Sequence, residues 1–240
     1  MRTVIAISLL FLQLTFVSAQ TLDKDESVKR LREWLSIPND AHYSNQIQQN
    51  LDWLDKNFKQ AGFEISLLET NGHPLFFAER QVDAALPTVL FYMHFDGQPV
   101  DSSKWDQESP YNPVIKKYEN NRWVIVSESA SLNSDYRIFA RSASDDKGPI
   151  MIFLEAIRLM QFENIEPAFN IKVILDSQEE QGSPYLLEAV QKYKNVLASD
   201  YFLALDGPMH DSLQPTLLYG VRGIIRITLE VYGPNKAQHS

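Results

Sequence analysis

The sequence contains no cysteine. That excludes disulfides, thiolate metal sites such as zinc ribbons, and a lipid carried on an N-terminal cysteine. Stability then has to come from a buried core, and any metal has to be held by His, Asp and Glu. Long apolar runs are scarce as well. The run at 4–16 is shorter than the roughly 20 residues that span a bilayer, and no later stretch approaches that length, so an integral membrane protein is not expected. Lys and Arg do not cluster, and the formal net charge is −9. Nucleic acid is therefore not expected as a partner, because phosphate binding needs a basic face. What the chain does have is 240 residues with 44% hydrophobic content, enough to bury one large core.

Arg2 precedes the apolar run, and the small-residue pattern Val17-Ser18-Ala19 follows it. This is the pattern of an export signal over 1–19 with cleavage after Ala19, and it predicts a periplasmic or secreted mature chain.

Hydrophobic spacing predicts helices first and then strands alternating with helices. Ile47, Leu51, Leu54 and Phe58 recur at three-to-four-residue intervals and Gly62 follows, which predicts an amphipathic helix over 44–61 with Gly62 as its cap. An earlier helix is expected over about 26–35, ended by Pro38. Strands are expected over 63–69, 74–79, 88–93, 169–175 and 201–205. The runs 88–93 and 201–205 lack alternation and so predict strands buried on both faces. Helices are expected over 149–161, with Pro149 in its first turn, and over 184–193. Such alternation implies an α/β fold, a mostly parallel sheet flanked by helices.

On this map His94 and Asp96 directly follow one buried strand, Glu179 and Glu180 lie just past another, Asp206 closes a third, and Asp145 precedes a helix. Each has a plainer reading taken singly: a loop histidine beside a carboxylate, helix capping at Asp145-Asp146, a solvated acidic turn at Glu179-Glu180, and a turn before Gly207-Pro208. Together they point elsewhere. The carboxyl ends of strands in an open α/β sheet converge on one crevice, and carboxylates gathered there repel one another unless cations neutralise them.

The ordered motifs Met93-His94-Phe95-Asp96-Gly97-Gln98-Pro99, Trp105-Asp106 with Pro110-Tyr111, Arg141-Ser142-Ala143-Ser144-Asp145-Asp146-Lys147-Gly148-Pro149, Ser177-Gln178-Glu179-Glu180 and Leu203-Ala204-Leu205-Asp206 resemble the N-terminal part of the M20 family of metallopeptidases. The likeness covers most of the mature chain and is closest to the dipeptidase branch. It implies a two-metal centre with His94 and Asp206 on the first cation, Glu180 on the second and Asp145 bridging them through a cis Asp145-Asp146 peptide. Asp96 would hold the imidazole, and Glu179 would be the general base. Zinc is the implied ion, and manganese or cobalt would suit the same ligands. The implied substrates are small peptides or N-acyl amino acids.

The resemblance also implies a catalytic domain over 20–222. The start of an α+β lid or dimerisation domain would follow over 223–240, cut short at Ser240. A longer form would be a homodimer in which His239 reaches the substrate, the alternative for His239 being a frayed terminal residue. The family's late histidine ligand would fall beyond Ser240, so an inactive fragment is one expected outcome. The chain departs from the family at Ala140-Arg141-Ser142, where Gly-Arg-Gly is usual, and 118–136 resembles an insertion. Two other readings stand beside this one: an M28-like aminopeptidase, and a non-catalytic metal- or partner-binding fragment.

Overall fold

Eight apolar side chains on two neighbouring strands decide how this sequence folds. Leu75 and Phe77 point to one face of a sheet and Phe76 and Ala78 to the other, while Ile171, Val173 and Leu175 oppose Ile174 on the strand beside them. Both faces must therefore be covered. The computed structural model describes residues 23–127, 131–207, 212, 214, 216–220, 223, 225 and 227–232. The expected leader at 1–19 and His239 lie outside the described residues. No helix among those described is long and apolar enough to cross a membrane.

The chain divides into two units, Met1–Asp206 and Gly207–Ser240. In the first, α1 (Lys24–Leu35) is capped by Asp23, whose carboxylate accepts Asp25 N–H, and α2 (Ser44–Gln60) ends at Ala61 with Gly62 in the left-handed conformation at φ 83°. Strands β1 (Glu64–Leu68), β2 (Leu75–Arg80) and β3 (Thr88–His94) follow. A small antiparallel sheet is then built from β4 (Val114–Glu119), β5 (Arg122–Ile125) and β6 (Arg137–Phe139), in the order β5-β4-β6. Helix α3 (Lys147–Phe162), β7 (Asn170–Asp176), α4 (Leu186–Lys192) and β8 (Tyr201–Ala204) complete the unit. The described residues of the second unit carry no helix or strand.

The main sheet has the order β1-β2-β7-β3-β8. Only β2 runs against the others, so the sheet is mostly parallel, as expected. Phe58 of α2 and Ile150, Leu154 and Ile157 of α3 cover one face together with Trp34 of α1, and a smaller cluster that includes Ala189 and Leu197 covers part of the other. Burying each large apolar side chain contributes about 1.5–3 kcal/mol, so the larger cluster dominates.

Two expectations are corrected. Helix α3 starts at Lys147, two residues early, because proline is tolerated throughout the first turn, where its missing N–H has no intrahelical partner to lose. Strand β8 is not buried: Tyr201 and Phe202 are 62% and 61% exposed. Among the described residues it pairs only with β3 and forms the sheet edge, a position its apolar composition could not reveal.

Candidate metal centre

Strand register brings the site together. His94 closes β3 opposite Asp176, the last residue of β7, so the 3-10 turn Glu179–Gln181 emerges beside it. On the other side β8 stops opposite Tyr92, and Leu205 N–H donates to Tyr92 O at 2.9 Å, which delivers Asp206 to the same end of the sheet. The start of α3 supplies Asp145 and Asp146, joined by a cis peptide bond as expected. These are the carboxyl ends of parallel strands, where open α/β sheets form their binding crevice.

The His94 ring is buried, with Nε2 2.7 Å from Asp145 Oδ1, 3.8 Å from Asp206 Oδ1 and 4.0 Å from Glu179 Oε2. Ligand atoms of His94, Asp145 and Asp206 all lie within 4.8 Å of one another. Asp145 is 65% exposed at its side chain, so the cluster opens to solvent and to a ligand. Glu180 stands nearby but outside this group of three, its Oε2 accepting from Gln98 Nε2.

Asp96 does more than the sequence suggested. Its Oδ1 is 3.3 Å from His94 Nδ1, but that nitrogen has no hydrogen-bond partner, so the contact is an ion-pair approach rather than an aligned bond. Both carboxylate oxygens are instead engaged by the turn, Oδ1 accepting Glu179 N–H and Oδ2 accepting Glu180 N–H, each at 3.1 Å. Asp96 thus fixes the acidic turn relative to His94. Asp146, given no role from the sequence, accepts His94 N–H at 3.1 Å through Oδ2, and Asp176 O accepts Phe95 N–H at 3.0 Å. Asp176 closes an apolar strand as Asp206 does, and that signal was available. Asp146 offered only its place beside Asp145.

Electrostatics confirm crowding. Burial pushes the Asp146 carboxyl up to about 8, with Asp206 and Asp145 adding to it against the opposing effect of the His94 N–H bond. Burial likewise raises Glu179, helped by Asp206 and Glu180, and raises Glu180 and Asp206, each helped by Asp145. Burial alone would lower His94, but Asp96, Asp146 and Asp206 outweigh it and hold the imidazole at about 10. A cation is what this cluster favours, and the His94 imidazolium is one that the chain itself supplies. The donor set also fits a divalent ion. A proton on Nδ1, beside Asp96, leaves the Nε2 lone pair facing two carboxylates, and imidazole with carboxylate oxygens suits zinc, manganese or cobalt.

The sequence profile described as Peptidase family M20/M25/M40 matches residues 90–223, which contain all of these side chains. The chain belongs to this family. Over 237 residues it is 26% identical to the Beta-Ala-His dipeptidase of Mus musculus, covering 91% of this chain and 44% of that protein. The Cys-Gly metallodipeptidase dug1 of Schizosaccharomyces pombe is 25% identical over 232 residues, covering 90% of this chain and 45% of dug1. Among solved structures, the M20 family metallo-carboxypeptidase Sso-CP2 from Sulfolobus solfataricus superposes with a TM-score of 0.62 at 31% identity, covering 78% of this chain and 38% of that one. This M20 chain therefore spans less than half the length of the relatives it matches. The match does not favour the M28-like alternative.

Proposed function

We propose that this chain carries the metal-binding half of an M20 dipeptidase site, with His94, Asp145 and Asp206 as cation ligands, Glu180 joining on a second cation, and Glu179 as general base. One observation carries the reading: three ligand atoms within 4.8 Å of one another, with the Glu179 carboxylate 4.0 Å from the imidazole. Bound there, divalent cations would acidify water and polarise an amide carbonyl. Asp145 would bridge the pair, and Asp96 would hold both His94 and the Glu179-Glu180 turn in place. Glu179 would take a proton from water on its carboxylate as the water oxygen bonds to the carbonyl carbon. It would then return that proton to the leaving nitrogen as the C–N bond breaks. Its raised affinity for a proton, set by burial and by Asp206 and Glu180, suits a group that both accepts and donates.

The names of the mouse and fission yeast relatives support a dipeptide as substrate, and an N-acyl amino acid would present the same amide. We also propose 20–222 as catalytic domain and 223–240 as the start of a lid. A second reading, metal binding without turnover, is favoured by Glu180, which Gln98 holds apart from the group of three. Metal content and hydrolysis of a dipeptide panel separate the two. Turnover supports catalysis, and metal uptake without it retires the catalytic reading and leaves the binding one. The proposed export has its own test: expressed with its leader in a secreting host, the protein is expected to begin at Gln20 on N-terminal sequencing, and a retained Met1 would contradict it.

A further inference from the structure

Asn39 lies in the linker between α1 and α2, far from every cation ligand in the sequence, yet its side chain is 0% exposed and touches both metal-binding loops. Its Nδ2 donates to Phe95 O at 2.7 Å and lies 2.9 Å from Ser142 Oγ, and its own carbonyl accepts Gly97 N–H at 2.9 Å. Phe95 O can only accept, so the amide nitrogen must face it. Phe95 and Gly97 flank Asp96 in the loop after His94, whereas Ser142 lies in the turn that leads to Asp145. One side chain therefore ties the two loops together.

Three further features define the knot. A β-carbon on Gly97 would stand 2.5 Å from Ser142 Oγ and 3.0 Å from both terminal atoms of Asn39, so glycine permits this approach. Lys147, the first residue of α3, donates from Nζ to Trp34 O at 3.0 Å and Ile37 O at 2.8 Å, pinning the same linker beside Asp145-Asp146. From the other side, Asn50 Nδ2 donates to Pro38 O at 2.8 Å. Meanwhile Asn39 Oδ1 is buried without a hydrogen-bond partner.

We infer that Asn39 is a positioning residue for the metal centre, one that sets the separation of His94 from Asp145 by clamping their loops to each other. The inference rests on the proposed metal reading of that pocket. Outer partners of metal ligands typically govern affinity by about 10- to 100-fold, and a clamp on both loops should act on that scale.

Cobalt(II) titration of the full chain, followed by competition with a chromophoric chelator and by the visible d–d spectrum, tests it. Asn39→Ala is expected to raise the cobalt dissociation constant about 10- to 100-fold and to alter the spectrum. Asn170→Ala is the control for lost stability. Asn170 is a buried amide at the opposite end of β7, bonded to Val82 N, Asp83 N, Asp83 O and Leu86 O. That variant is expected to melt lower while keeping wild-type affinity and spectrum. If Asn39→Ala does not fold, Gly97→Ala decides, since its methyl group enters the same knot. Wild-type uptake with affinity and spectrum unchanged in the deciding variant overturns the inference alone, as does an equal loss in Asn170→Ala. A wild-type chain that takes up no cobalt overturns the metal reading and the inference together.

Discussion

Glu179→Gln is expected to lower kcat for dipeptide hydrolysis by about 10²–10⁴-fold, the usual worth of a positioned acid–base group, while leaving bound metal unchanged. The amide keeps the shape of the side chain but cannot take a proton. The turn should hold its place, because Asp96 grips the Glu179 and Glu180 backbone N–H groups rather than the Glu179 side chain. Steady-state kinetics with metal analysis on the same sample check this. A variant with near wild-type turnover would remove Glu179 from the mechanism, and one that loses metal would make it a ligand instead.

Chelation should cost the folded chain more stability as pH rises. Asp146 goes from its ordinary 3.8 to about 8 on folding, and His94 from 6.5 to about 10. Both pKa values are higher folded than unfolded, so the metal-free native state binds more protons and its stability falls with increasing pH. The Asp146 contribution is complete below about pH 4 and is lost by about 8, and the His94 contribution fades between about 6.5 and 10. A divalent cation replaces those protons. At about 1,000 times its dissociation constant it adds about 4 kcal/mol, a shift of about 8–16 °C for a chain of this size. Thermal melts with zinc and with chelator at pH 5.5, 7 and 8.5 should therefore show a gap that widens with pH. Curves that coincide at every pH would contradict the crowded-carboxylate account.

The elements that carry the site were legible because the sheet is covered on both faces where it matters. Val89, Leu90 and Met93 on β3 and Ile171, Val173, Ile174 and Leu175 on β7 mark apolar strands whose ends could be read directly, and the acids stand at those ends. Edge position was not legible, since β8 has the composition of a core strand and only its pairing exposes it. Nor could a sequence say where the Asp96 oxygens would go, because the partner amides are 83 and 84 residues away. Asn39 left no signal at all. It sits in a loop without periodicity, and its two side-chain partners are 56 and 103 residues distant.

The most direct measurement is an anomalous difference map from crystals of the full chain grown with zinc. The expected result is a peak about 2.0–2.1 Å from His94 Nε2, also bonded by carboxylate oxygens of Asp145 and Asp206. Zinc bound elsewhere, or no peak beside His94 at saturating zinc, would contradict the assignment of a metal centre to this pocket.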